Sequence, residues 1–225
     1  MSDKEIIYVG DPMCSWCWGF SPVLDRIRTD YGAIAPMRVV VGGLHAFDSD
    51  PMSEDYKAMI RSHWEHVAEA TGQPFNYAFF DRQGFVLDTE PACRATVAMR
   101  SIKPQSVWPF YESIHKGYYV EDTDTTALET FMAYAEREGV QGDAFKAAFE
   151  SDAVRQETLE DFAWCQQAGV TGFPTVVLRE DRHMGALTVG YRQFDDLKPT
   201  LDAWASGDFS LAQNATNAGE PGTTH

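Results

Sequence analysis

Cys14 and Cys17 stand two residues apart in the segment Cys14-Ser15-Trp16-Cys17. Thiols at this spacing suit two kinds of chemistry: exchange with a disulfide, or half of a tetrahedral zinc site. The surrounding sequence favours exchange. Ile6 to Gly10 is short, β-branched and aromatic, and reads as a buried strand; a helix is expected from about Cys14 to Asp30. A strand that ends where a helix begins delivers Cys14 to unpaired amides and a partial positive charge. Both stabilise a thiolate over a thiol. On that placement Cys14 is the attacking sulfur, and Cys17, one turn into the helix, resolves the mixed disulfide.

A structural zinc site would need two further ligands. Cys93 and Cys165 are isolated, and His63 and His66 fit an exposed helix face, so no metal is expected. Trp16 and Trp18 flank Cys17. Exposed, they would form an apolar rim for peptide-like partners; turned inward, they would belong to the core, and the two readings weigh nearly equally.

The second chemical segment is Gly172-Phe173-Pro174-Thr175, just before the apolar run Val176 to Leu178. X-Pro is the bond at which cis costs least. A cis proline here would turn the Phe173 backbone outward, with its N–H and C=O open to an extended substrate strand. An ordinary loop proline is the plainer reading of the segment taken alone. Cys93 and Cys165 could form a second redox pair; the simpler reading makes Cys165 a small buried hydrophobe on an apolar helix face. Cys93 falls in the first turn of its helix. His45 follows the second strand, where it could approach Cys14 or simply occupy a loop. Glu90 reads as a first-turn helix charge.

Further elements must position these residues. Arg38 to Val41 reads as a second strand, closed by Gly42-Gly43, which a right-handed crossover would set parallel to the first. Pro22 is expected to kink the first helix. A helical block follows: one helix begins at Ser53 and ends at Thr71-Gly72, one starts near Thr89 to Pro91, and others span Pro104 to His115, Thr125 to Glu138 and Asp143 to Phe149. Asp152 to Ala168 is a further helix. Val176 to Leu178 and Ala186 to Val189 form a hairpin, and Asp195 to Ala205 is the last helix. The fold class is α/β.

The 225 residues carry 34 acidic and 18 basic side chains, a net charge of −16. That charge lacks the basic footprint of a nucleic-acid binder. No apolar run approaches the ~18 residues of a membrane span. The charged start Met1-Ser2-Asp3-Lys4-Glu5 does not resemble a secretory signal, so a cytoplasmic location is expected. Asn214-Ala215-Thr216 matches a glycosylation acceptor, which has no meaning in that compartment.

Taken together, Asp11-Pro12-Met13-Cys14-Ser15-Trp16-Cys17-Trp18-Gly19-Phe20 and the loop Gly169 to Thr175 resemble the DsbA-like branch of the thioredoxin superfamily, in particular its cytoplasmic, FrnE-like disulfide isomerases. The resemblance implies a thioredoxin fold with a helical domain inserted between the second strand and the cis-Pro loop. It implies a discontinuous thioredoxin-like domain at 1–50 and 151–207 and a helical insertion at 51–150, while the small polar residues after Gly207 read as a disordered tail at 208–225. It further implies that Pro174 is cis beside the Cys14 sulfur and that Trp16, Trp18, Phe173 and Thr175 contact substrate. The implied activity is disulfide exchange on protein or small-molecule disulfides without a bound cofactor, with glutathione or a thioredoxin-type protein as electron donor. Ser15-Trp16 departs from the Pro-His of the strong periplasmic oxidant, which favours a reductase or isomerase. Two alternatives differ in kind. Kappa-type glutathione transferases and 2-hydroxychromene-2-carboxylate isomerases share the fold but carry serine where Cys14 stands. A zinc-binding or chaperone-like module would use Trp16, Trp18 and Phe20 as a binding rim.

Overall fold

The computed structural model describes residues 3–208. The expected tail and the Asn214 sequon lie outside the described residues. Two compact units emerge, one built on a sheet and one helical.

The sheet unit takes residues 3–10, 20–40 and 164–208. Its four strands are β1 (Lys4–Gly10), β2 (Met37–Val41), β3 (Thr175–Glu180) and β4 (His183–Val189), in the order β2-β1-β3-β4. β1 and β3 run antiparallel with Ile6 opposite Leu178 and Tyr8 opposite Val176. β3 and β4 also pair antiparallel, across a bulge between Val176 and Val177. The hairpin is tighter than the expected turn from Glu180 to Gly185, because Asp181 adopts φ 54° and the chain reverses over Asp181 and Arg182. Strand alternation sorts the core. Ile7 and Val9 join Val40, Val177 and Cys165 in one cluster, while Tyr8 stacks on Phe20 with centroids 6.3 Å apart. At the polar end of the sheet, Glu5 bridges Arg38 and Arg179 at 3.1 and 3.0 Å.

The first helix, α1 (Ser15–Tyr31), continues through Pro22. The last two, α7 (Asp152–Gln167) and α8 (Phe194–Ala205), close the order of elements.

The helical unit takes residues 11–19 and 41–163. It contains α2 (Glu54–Thr71), α3 (Glu90–Ile102), α4 (Val107–Tyr119), α5 (Leu128–Arg137) and α6 (Gly142–Phe149). Ser53 caps α2, accepting the Tyr56 N–H at 3.2 Å, and Gly72 ends it at φ 75°. Residues 92–99 of α3 are all buried, so this helix is the axis of the unit. Pro104 to Ser106 form a 3₁₀ turn, and α4 starts only at Val107, which puts Pro109 in its first turn, where the missing N–H costs nothing. The core is aromatic: Trp64 packs among Phe75, Phe79, Phe80, Tyr118 and Tyr119. Phe79 and Phe80 lie in a short 3₁₀ segment, Tyr77–Asp81, that lacks helical periodicity in the sequence.

The units divide at 40/41 and 163/164, not at the expected 50/51 and 150/151, and residues 11–19 group with the helices. Side-chain bonds account for both shifts. Arg100 of α3 pairs with Glu157 at 2.7 Å and Asp161 at 2.8 Å, and Asp161 accepts the Val41 N–H at 3.0 Å. These tie the first part of α7 and the end of β2 to the helical core.

Candidate active site

The chain leaves β1 at Gly10 and enters α1 at Ser15, so Asp11 to Cys14 form the connecting turn. Cys14 sits at the helix mouth: its carbonyl accepts the Trp18 N–H at 3.0 Å, the first helical bond. Cys17 follows three residues later. Both are buried, Cys14 at 5% exposure and Cys17 at 0%.

Asp11 builds the turn. Its Oδ1 accepts the Met13 N–H at 2.8 Å, and its backbone carbonyl accepts the Cys14 N–H at 3.1 Å. Its Oδ2 accepts the Leu44 N–H at 2.7 Å and the Cys93 thiol at 3.5 Å, and the Thr89 hydroxyl bonds the same carboxylate. Asp11 is fully buried. Burial pushes its carboxyl above the ordinary value, against the pull of these four hydrogen bonds. Burial also pushes the Cys93 thiol well up, with the Asp11 charge adding to it. His115 donates a ring N–H to the Asp11 backbone, and burial lowers its pKa to about 3, so the ring is neutral near pH 7.

Trp18 belongs to the core and not to a substrate rim. Its indole is 7% exposed, stacks on Tyr119 at 6.3 Å, meets His115 edge-on at 6.0 Å, and donates Nε1–H to the Pro74 carbonyl at 3.0 Å. Phe20 is likewise fully buried, in the sheet unit. The reason is helical phase: both follow the turn into an interior that the sequence does not display. Trp16 is half-buried and packs edge-on against His66 at 5.6 Å.

In the sheet unit, the Phe173–Pro174 peptide is cis. Phe173 packs, half-buried, against the Ile7–Val9 cluster. Thr175 is buried, and its hydroxyl donates to the Gly172 carbonyl at 2.8 Å, closing the loop on itself. Cys93 lies in the helical core and Cys165 in the sheet core, each with its own surroundings. His45 is engaged by Asp48 at 3.2 Å and the Tyr56 hydroxyl at 3.3 Å, and its N–H donates to Thr89 at 3.1 Å. Glu90 pairs with Arg94 at 2.8 Å. Among the described residues, no three His, Cys, Asp or Glu side chains converge to hold a metal, and no helix is long and apolar enough to cross a membrane.

Sequence reasoning passed over Asp11, Thr89 and His115. A signal existed for the first: an acidic residue directly after a buried strand, followed by proline, three residues before Cys14.

A strand, a cysteine pair at a helix mouth and a later Pro-Thr strand define a mixed α/β protein of thioredoxin type. The chain matches the DSBA-like thioredoxin domain over residues 5–202 and belongs to that family. It is similar to a crystal structure from Nitrosomonas europaea that carries the provisional name of protein disulfide isomerase: 36% identity, TM-score 0.85, covering 91% of this chain and 98% of that one. It is also similar to the cytosolic disulfide reductase DsbM of Pseudomonas aeruginosa with GSH, at 25% identity and TM-score 0.74, covering 90% and 99%. Among curated relatives, the ClpXP adapter protein SpxH of Halalkalibacterium halodurans is 23% identical over 79% of this chain. The chain spans 59% of that relative's length.

Proposed function

We propose that this chain catalyses thiol–disulfide exchange through Cys14 and Cys17, as a reductase or isomerase of protein or small-molecule disulfides. The observation that carries the reading is a cysteine pair at a helix mouth, Cys14 just before the helix and Cys17 in its first turn, in a DSBA-like chain. The Cys14 thiolate attacks a substrate disulfide, forming a Cys14–substrate bond and releasing the first substrate thiolate. Cys17, deprotonated, attacks the Cys14 sulfur, forms the Cys14–Cys17 disulfide and releases the second. The substrate gains two electrons and the pair loses two. Two glutathiones, or a dithiol protein, return them. The pair is its own redox group, so no bound cofactor enters the scheme.

Trp16 and the Phe173–Thr175 loop are the proposed substrate contacts. Thr175 acts there through its backbone, because its hydroxyl is spent on Gly172. The likeness to a cytosolic reductase supports a cytoplasmic location and glutathione as donor. In that pool a weakly oxidising pair rests as dithiol.

Insulin-disulfide reduction by wild type, Cys14→Ser and Cys17→Ser tests the scheme. Cys14→Ser should be inactive and Cys17→Ser should accumulate mixed disulfides. Equal activity in all three would reject the proposal. Equilibration with glutathione buffers tests the direction, and a midpoint near about −120 mV would reject a reductase. The SpxH likeness favours a second reading, a protein-binding adapter. Stable complexes formed equally well by Cys14→Ser would support it.

A further inference from the structure

Phe47 is the most exposed large apolar side chain among the described residues, at 62%. It also holds φ 71°, a left-handed conformation that bulky side chains rarely adopt. A phenylalanine there costs conformational energy and leaves most of its ring in water, so folding gains little from it. The loop that carries it is nevertheless fixed. The Phe47 N–H donates to Asp88 Oδ1 at 2.8 Å, and the His45 N–H to the Thr89 hydroxyl at 3.1 Å. The Thr89 N–H returns to the His45 carbonyl at 3.3 Å, and the Leu44 N–H reaches Asp11 at 2.7 Å.

The ring has apolar company. It meets Phe162 of α7 edge-on at 6.4 Å, and Phe162 packs on Gly43 so closely that a Cβ there would overlap the ring. Leu159, one turn before Phe162 on the same face of α7, is 46% exposed, and Leu44, next to Gly43, is 44% exposed. All four belong to the helical unit. The charges around Phe47 are negative. Asp48 and Asp50 follow it, Asp88 takes its N–H, and the loop from Gly42 to Asp50 carries no lysine or arginine. On α7, Arg155 stands one turn before Leu159 with Asp152 three residues ahead of it.

The patch adjoins the Cys14 turn. Asp11 accepts the Leu44 N–H on its carboxylate and the Cys14 N–H on its carbonyl. The two nitrogens are thus no further apart than two hydrogen bonds and one aspartate. An extended chain joined to the Cys14 sulfur advances about 3.3 Å per residue, so a few residues bring it over Leu44 and Phe47. The geometry points to a docking surface, formed by Leu44, Phe47, Leu159 and Phe162, for an unfolded polypeptide with apolar and basic side chains beside its disulfide. This rests on the exchange reading above and names its substrate class as protein. Burial of apolar side chains against the patch supplies the attraction. The acidic surroundings of Phe47, on a chain of net charge −16, select lysine or arginine next to them. The strained backbone at Phe47 suits the same role, since it holds the ring outward in a fixed place.

The test titrates the full chain into fluorescein-labelled, thiol-free peptides of leucine, phenylalanine and serine, flanked by lysines or by glutamates. Anisotropy should show tighter binding of the lysine peptide. Phe47→Gly removes the ring and relieves the left-handed backbone, so it should keep the thermal midpoint while weakening that binding about tenfold. Leu159→Ser, at an exposed helix position, should weaken it severalfold. In turnover, Phe47→Gly should raise KM for insulin and lower the ratio of insulin to hydroxyethyl disulfide kcat/KM by about tenfold. Unchanged peptide binding in both variants, or equal affinity for the two peptides, would overturn the proposal. So would an equal loss on both disulfides. A wild-type dimer that Phe47→Gly converts to monomer in sedimentation would assign the patch to a second copy of the chain and overturn it too. The peptide assay needs no exchange. Binding that depends on Phe47 in a protein without insulin reductase activity would sustain the surface while rejecting the exchange function.

Discussion

The side-chain amide of Gln73 donates to the backbone carbonyl of Trp18 at 3.1 Å. Residue 22 would normally serve that carbonyl, but it is Pro22 and has no N–H. The segment after α2 therefore completes the first helix from outside, and Pro74 takes the Trp18 indole N–H in the same stroke.

Gln73→Ala should cost about 1 kcal/mol, the worth of one hydrogen bond with its acceptor left behind. In a Pro22→Ala background the helix supplies its own donor, and the cost of Gln73→Ala should shrink. Urea unfolding of the four proteins of this cycle measures the coupling. Additive costs would mean that the Trp18 carbonyl is not the shared partner.

Trp18→Ala should destabilise by about 3–5 kcal/mol, as for a large buried aromatic. Trp16→Ala, at a half-buried position on the same turn, should cost less than about 1 kcal/mol and act on substrate KM instead. Thermal melts and insulin kinetics separate the two. Comparable losses of stability would show that both rings are core.

Gly117 packs against Tyr134 so closely that a Cβ there would overlap the tyrosine oxygen. Gly117→Ala should cost about 1–3 kcal/mol through overpacking. Tyr134→Phe removes the opposing oxygen and should recover most of that loss in the double variant. No recovery would place the cost in the helix backbone.

His115 is buried and titrates near 3 when folded, against 6.5 when free. Below pH 6.5 the unfolded chain takes up a proton that the folded chain does not, so stability falls as pH drops toward 3. Between pH 6.5 and 4.5 this amounts to about 2–3 kcal/mol. His115→Gln keeps an N–H for the Asp11 carbonyl and removes the titration. Its stability should fall less than wild type over that interval, by about that amount. Asp11, pushed upward, acts oppositely: it contributes most stability below its ordinary value and loses it as pH rises through its folded value. Identical pH slopes in the two proteins would exclude His115 as the source.

Much of the architecture was legible locally. Ser53 and Gly72 mark the ends of α2 because capping depends on residues within one turn. The short continuous apolar runs of β1 and β3 announce strands for the same reason. Pro104 and Pro109 misled the reading of α4, since a proline at a helix start and one inside a helix look alike until the first turn is located. The Tyr77–Asp81 segment was missed because four of its five residues are apolar or aromatic without a period. The division into units at 40/41 and 163/164 depends on long-range bonds such as Arg100 to Asp161, which no local sequence pattern announces.

Cys14 and Cys17 follow the same division. Their spacing and their place between a strand and a helix are properties of neighbouring residues, and the sequence alone determined them. The surroundings of the pair were decided only by tertiary structure. Asp11 meets Leu44 from 33 residues away and Cys93 from 82. A carboxylate reads the same in a sequence whether water surrounds it or four buried donors do, and only packing distinguishes the two.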